Sequence, residues 1–173
     1  IRDRLRVTGS AKVPYANRRE LMRCMDLPEE CVEMRWSDFG GGFGVRGDIY
    51  PEDFLVPFAS RKLGRPVKWI EDRRENLLAA NHARDVECEL EIACDRDGTV
   101  IALTGHAWVN VGAYFRMSGA VQPRNVAHFI AGPYRVPHVH MQASVMVTNK
   151  APNGAYRGPG RFEADFFRER LFD

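Results

Sequence analysis

The 173-residue sequence contains no run of 18 apolar residues, so it offers no candidate membrane-spanning helix. It also has no surplus of one charge. Lysine and arginine number 25 against 23 aspartates and glutamates, a formal net charge of +2. The strongly basic face expected of a nucleic-acid binder is therefore missing. There is no internal repeat and no low-complexity segment. Cysteines are few: Cys24, Cys31, Cys88 and Cys94. Their spacing fits neither a zinc site nor an iron-sulfur site. Cys88 and Cys94 fall in one predicted strand on a shared face, roughly 20 Å apart at about 3.3 Å per residue, beyond the reach of a disulfide. All four are read as buried thiols, and a reducing cytoplasm is the expected location. The histidines, His82, His106, His128, His138 and His140, form no metal-binding pattern and are assigned structural or surface roles. The start, Ile1-Arg-Asp-Arg-Leu-Arg6, lacks an apolar signal region and an initiator methionine. The end, Arg168-Glu-Arg-Leu-Phe-Asp173, stops inside a predicted helix. The expectation is a single partial domain over residues 1–173, truncated at both ends.

What is present suffices for a sizeable core, since 45% of the residues are apolar. A first helix is expected over residues 18–27, with Asn17 and Glu20 as a capping box and Pro28 beyond its end. Residues 31–36 read as a short strand. A second helix is expected over residues 51–63. Pro51 suits its first turn, Glu52 and Asp53 its positive end, and Gly64 its termination. Phe54, Leu55, Phe58, Ala59 and Leu63 share one face of it. Residues 67–70 read as a strand. Val86, Cys88, Leu90, Ile92 and Cys94 alternate with Glu87, Glu89 and Glu91, which predicts a half-buried strand. Asp95-Arg-Asp-Gly98 lacks the glutamate that closes a calcium loop, so it reads as a hairpin turn into a partner strand over residues 99–109. Residues 139–147 read as another strand. Phe162, Phe166, Phe167 and Leu171 stripe a last helix. The predicted class is α+β, with mixed sheets and packed helices.

Gly42-Phe-Gly44-Val-Arg-Gly47 fits G-x-G-x-x-G between a predicted strand and a helix, and Glu71-Asp72 lies roughly 25 residues further on, close to a dinucleotide fingerprint. Glycines let backbone amides approach a ligand, and a helix start favours anions. A tight structural turn accounts for the pattern equally well. The extra glycine of Gly40-Gly-Gly42 and the later hairpin do not belong to a doubly wound sheet. A second glycine-rich segment, Asn149-Lys-Ala-Pro-Asn-Gly-Ala-Tyr-Arg-Gly-Pro-Gly-Arg-Phe-Glu-Ala164, joins a strand to a helix. It sets Tyr156 and Arg157 among glycines, a composition suited to a phosphate clamp.

Taken together, the segments resemble the large subunits of xanthine dehydrogenases, aldehyde oxidases and aerobic carbon monoxide dehydrogenases. The matching stretches are Leu27-Pro-Glu-Glu30, Gly40-Gly-Gly-Phe-Gly44, Tyr50-Pro-Glu-Asp53, Leu63-Gly-Arg-Pro-Val-Lys-Trp69 and Glu71-Asp-Arg-Arg-Glu75. They continue with His82-Ala-Arg-Asp85, Gly112-Ala-Tyr114, Gly132-Pro-Tyr134, and Thr148-Asn-Lys150 leading into Ala155-Tyr-Arg-Gly158. The region is similar to the first molybdopterin-binding domain of that family. The resemblance implies that Gly41, Gly42, Phe43 and Gly44 lie against the molybdenum ligands and the pterin, and that Tyr156, Arg157 and Gly158 lie near the cofactor. The implied cofactor is molybdenum-molybdopterin, in the cytosine dinucleotide form for a bacterial-type member. The implied reaction is hydroxylation of an aldehyde or an N-heterocycle. Iron-sulfur clusters and flavin are expected only on partner subunits or domains, besides the remainder of the large subunit and a small-molecule substrate. No protein ligand to the metal is expected.

The chain departs from the family pattern at several places. Lys12 in Ala11-Lys-Val-Pro14 replaces a glutamine that neighbours the metal in the family. Gly47 stands where purine-oxidising members carry a glutamate, and Pro159 where they carry an aromatic residue. Gly158 stands where carbon monoxide dehydrogenases carry a copper-binding cysteine. Purines and carbon monoxide are disfavoured as substrates, and Gly47 and Pro159 are expected in the substrate pocket. The family's catalytic glutamate comes from the following domain, so no catalytic residue is expected before Asp173. Glu163 is read as a helix-start carboxylate stabilised by the helix dipole. Two other readings stay open: a nicotinamide-dinucleotide binding module, and a catalytically inactive paralogue or scaffold suggested by Lys12.

Overall fold

The computed structural model describes residues 4–173. Ile1, Arg2 and Asp3, part of the segment read as lacking a signal, lie outside the described residues. The chain divides after Ala79 into two compact units.

The first unit opens with a strand–helix–strand. Strand β1 (Leu5–Thr8), helix α1 (Pro14–Met25) and strand β2 (Val32–Arg35) are joined so that β1 and β2 pair in parallel, Leu5 opposite Val32. Leu5, Leu21 and Val32 form the core, with Val7, Met22, Met25, Leu27 and Phe54 packed on it. Helix α1 begins four residues before the expected start. Pro14 occupies its first turn, where a fixed φ and a missing N–H have no cost. Asn17 is therefore a buried residue inside the helix and not its cap. A 3₁₀ turn at Glu29–Cys31 takes the expected first residue of the strand. Arg18 pins this corner, donating to the Val32 carbonyl at 2.8 Å and to the Glu29 carboxylate at 2.8 Å.

Helix α2 (Pro51–Leu63) has the expected limits. The Tyr50 amide donates to the Asp53 carboxylate at 2.9 Å, and Gly64 ends the helix at φ +64°. Its apolar face is only partly covered within the chain: Phe54 packs on the core, whereas Leu55, Phe58 and Leu63 are exposed. Residues 66–70 form no strand, and helix α3 (Arg73–Ala79) follows instead. Asp72 and Glu75 cap α3 reciprocally, each accepting from the other's amide at 2.8 and 2.9 Å. Glu71 accepts from Asn76. These arrangements remove the basis of the dinucleotide reading. The strand required after α2 is absent among the described residues, and the acidic pair serves a helix start.

The second unit is a three-stranded sheet in the order β3-β4-β5. Strands β3 (Val86–Cys94) and β4 (Val100–Gly112) form the expected hairpin, and β5 (His138–Val147) runs parallel to β4. In β3, Val86, Cys88, Leu90 and Ile92 are half-buried and the three glutamates exposed, as the alternation requires. An irregularity between Ala93 and Cys94 turns Cys94 outward. At the hairpin turn the Asp95 carboxylate accepts from the amides of Asp97 and Thr99. Helices α4 (Val121–Phe129) and α5 (Arg161–Phe172) supply Ile130, just past α4, and Ala164 to a core completed by Leu103. Helix α4 gave no periodic signal because its buried face includes Gln122 and Asn125. In α5, Phe167 and Leu171 pack on the core while Phe162 and Phe166 stay exposed. The four thiols are free, and none is fully buried: Cys24 and Cys94 are exposed, Cys31 and Cys88 intermediate. The expectation of buried thiols was wrong because the alternation and helix patterns define faces, not the depth of cover over them.

Candidate cofactor site

In the first unit, the segments after β1 and after β2 converge. Both leave the carboxyl ends of parallel strands, where open α/β arrangements place their ligands. The Lys12 amide donates to the Arg46 carbonyl at 2.9 Å. The Lys12 stem lies on the glycine loop: a β-carbon on Gly42 would come within 3.1 Å of it, and one on Gly47 within 3.7 Å. Lys12, Gly42 and Gly47 are thus brought together. The loop has positive φ at Gly40, Gly41, Phe43 and Gly44, including a rare left-handed conformation at a phenylalanine. The backbone then tightens into a 3₁₀ turn at Val45–Gly47, with the Arg46 amide donating to the Gly42 carbonyl and the Gly47 amide to the Gly44 carbonyl. The amides of Gly41, Gly42, Phe43 and Gly44 donate to no carbonyl among the described residues. Such a run of free amides in a curved backbone is an anion cradle. The Phe43 ring is exposed beside Gly41.

Tyr156, Arg157, Gly158 and Pro159 belong to the second unit. Their loop is held at both ends. Upstream, His82 and Asn153 form a parallel bridge, and the Asn153 side chain donates to the Asn110 carbonyl at 2.7 Å. Asn110 also donates to the Asp85 carboxylate at 2.8 Å, and its own side-chain oxygen accepts from the Gly112 amide and the Thr148 hydroxyl. Asp85 binds Lys150 at 2.8 Å, which holds that ammonium above the usual lysine range. Downstream, Asn125 donates to the Pro159 carbonyl at 2.9 Å. Gly160 sits so close to α4 that a β-carbon would fall 2.4 Å from the Gln122 carbonyl. Between these anchors Tyr156 and Arg157 are exposed. The Arg157 guanidinium forms no hydrogen bond or ion pair among the described residues. Gly158 turns the chain at φ +72° with open space around it.

Glu163 does lie in the first turn of α5, but the dipole is only part of its setting. It is 4% exposed, accepts from Gln122 through Oε1, and faces Arg84 at 3.5 Å. Arg84 and Gln122 were not among the expected site residues. Arg84 had a signal, its place in the His-Ala-Arg-Asp stretch; Gln122 had none.

A family model described as a molybdopterin cofactor-binding domain matches residues 1–173. The chain belongs to that family. It is 41% identical over 99% of its length to the 6-hydroxypseudooxynicotine dehydrogenase complex subunit gamma of Paenarthrobacter nicotinovorans, covering 22% of that protein. It is 35% identical over 99% of its length to the nicotine 6-hydroxylase large subunit of the same organism, covering 21% of it. Among solved structures, quinoline 2-oxidoreductase from Pseudomonas putida 86 superposes with a TM-score of 0.92 at 38% identity, over 98% of this chain and 22% of that one. The chain therefore spans about a fifth of the length of the relatives it matches. The relatives are molybdenum-dependent oxidoreductases of the xanthine dehydrogenase family, and the mixed helix-and-sheet architecture is that of their cofactor-binding domain. The donor set of the glycine loop suits the group: an anionic pterin cofactor needs backbone amides such as those at Gly41 to Gly44, which donate to no carbonyl among the described residues.

Proposed function

We propose that this molybdopterin cofactor-binding domain cradles molybdenum-molybdopterin within a molybdenum hydroxylase large subunit that oxidises an N-heterocycle or an aldehyde. The observation that carries the reading is the curved loop at Gly41, Gly42, Phe43 and Gly44, beyond the ends of two parallel strands, whose amides donate to no carbonyl among the described residues. These amides would hold the cofactor in the first unit, with Lys12 beside them. Tyr156, Arg157 and Gly158 would hold it in the second. When bound, the cofactor supplies the redox centre for hydroxylation. The chain's own residues bind and orient it, and the proton-accepting glutamate lies in a following domain.

An N-heterocyclic substrate is favoured over an aldehyde, because nicotine and quinoline name two of the relatives. Gly47 and Pro159 would line the substrate pocket, where small side chains leave room and offer no carboxylate for a purine. Gly158 carries no thiol for copper, so carbon monoxide is disfavoured. The subunit names of the relatives support an assembly with further subunits, for which an iron-sulfur subunit and a flavin subunit are the proposed partners. The cytosine dinucleotide form of the pterin is proposed on the family resemblance alone. A cytoplasmic enzyme is the proposed setting; no helix among the described residues is long and apolar enough to cross a membrane.

The test is molybdenum and pterin analysis of the purified full-length protein, followed by oxidation assays with quinoline, nicotine and an aromatic aldehyde. Near-stoichiometric metal and pterin are expected. A well-folded full-length sample that holds neither overturns the reading.

A further inference from the structure

Arg84 reaches across 72 and 73 positions of the chain to the loop that carries Arg157. Its Nη1 donates to the Tyr156 carbonyl at 3.1 Å and its Nη2 to the Arg157 carbonyl at 2.9 Å. Its Nε faces Glu163 Oε1 at 3.5 Å. That oxygen also accepts from Gln122, whose amide nitrogen reaches the Ala83 carbonyl at 3.2 Å. Glu163 and Gln122 are 4% and 2% exposed, so the carboxylate that orients the guanidinium is itself held in place. The rings of Phe162 and Tyr156 flank the guanidinium carbon at 5.1 and 6.0 Å.

This geometry selects one loop shape. In an extended strand, successive carbonyls point to opposite sides. A planar guanidinium that takes two successive carbonyls requires the chain to turn at Tyr156 and Arg157. Gly158, at φ +72°, continues that turn. With both carbonyls held from behind, the Arg157 guanidinium has no hydrogen-bond or ion-pair partner among the described residues and is available to an anion.

We propose that Arg84 is the positioning residue of the cofactor loop: oriented by Glu163 and Gln122, it fixes the backbone from which Arg157 meets the pterin cofactor. The proposal rests on the reading that this loop holds that cofactor. A simple structural staple behaves differently. Its loss weakens the fold in proportion to any loss of cofactor, whereas loss of a positioning residue lowers cofactor retention in protein that stays folded.

Arg84→Lys and Arg84→Ala in the full-length protein separate the two. Lysine keeps the positive charge beside Glu163 but cannot supply two parallel donors to two carbonyls. The readouts are molybdenum and pterin content, the molybdenum EPR signal, hydrogen exchange at residues 155–161, and the thermal midpoint. Arg84→Lys is expected to melt close to the wild type, to exchange faster across the loop, and to show an altered EPR signal. Its cofactor retention should fall by about 10- to 100-fold, as for other groups that orient ligands from behind. Arg84→Ala should lose more. Wild-type content and spectra in both variants overturn the proposal, as does cofactor loss that merely tracks the melting temperature. A wild-type protein without metal or pterin overturns the cofactor reading itself, and the proposal with it.

Discussion

Lys12 lies across Gly42, so that a β-carbon added to the glycine would sit 3.1 Å from that of the lysine. The contact is made by the aliphatic stem. Gly42→Ala is therefore expected to be mild alone and only partly relieved by Lys12→Ala, which removes the γ- and δ-carbons at 3.2 Å but keeps the β-carbon, with a coupling on the order of 0.5 kcal/mol in a double-mutant cycle. Gly41→Ala should cost more, about 1–2 kcal/mol, because φ at Gly41 is +103° whatever the space around it. Denaturant unfolding of the set checks the order; equal costs at Gly41 and Gly42 would contradict it.

Lys12→Gln keeps the β-, γ- and δ-carbons that touch the loop. Stability should change by no more than about 0.5 kcal/mol. Molybdenum content of the full-length protein should not fall. A drop in metal with unchanged melting would show that the ammonium itself is required.

Gly158 and Gly160 have similar positive φ, +72° and +75°, but different surroundings. Gly158→Ala meets nothing within 4 Å. Its cost should be the backbone strain alone, about 1–2 kcal/mol. Gly160→Ala would also drive a methyl to 2.4 Å from the Gln122 carbonyl. Overpacking adds to the strain, for a total of about 2–4 kcal/mol. Thermal melting distinguishes the two. Cofactor retention should be lost at Gly158 without a comparable loss of fold.

Asn110 is buried and joins β4 to Asp85, Gly112, Thr148 and Asn153. Asn110→Ala leaves the Gly112 amide and the Thr148 hydroxyl without their shared acceptor and Asp85 without one donor, and should cost about 2–4 kcal/mol, while the Asn153 bond to the main-chain carbonyl persists. The amides of Gly112 and Thr148 should exchange faster with solvent in the variant, because their corner loses its shared side-chain acceptor.

Burial pushes the Cys88 thiol up to about 11, with the Glu89 charge adding to it. At pH 8 its thiolate fraction should be about a thousandth, against roughly a quarter for a free cysteine. Cys24 and Cys94 are exposed and should react with maleimide at least about 100-fold faster. The folded state binds this proton more tightly than the unfolded one, so the contribution to stability is intact below about pH 9 and falls as pH rises towards 11. Cys88→Ser should flatten that part of the pH profile.

Local chemistry was legible in the sequence wherever one residue type has one use. Pro51 and Gly64 bound α2, and the alternation of Val86 to Ile92 with three glutamates defined β3. The two glycine-rich segments and the collinear motifs named the family, because many ordered matches are far more specific than one. The sequence did not reveal which apolar faces are covered, since Leu55, Phe58 and Phe162 follow the same periodicity as buried residues and remain exposed. It misplaced the start of α1 because Asn17 and Glu20 imitate a cap, and it missed α4 because buried amides carry no hydrophobic period.

By itself, the sequence determined the backbone freedom of the glycine loops, because tolerance of a positive φ and the missing β-carbon are properties of glycine itself. Only the tertiary structure decided what those loops meet. The Lys12 stem on Gly42, the Arg84 fork on two carbonyls and the buried Glu163 behind it each join segments far apart in the chain. Such contacts depend on where the chain returns, and no local pattern of residues encodes that.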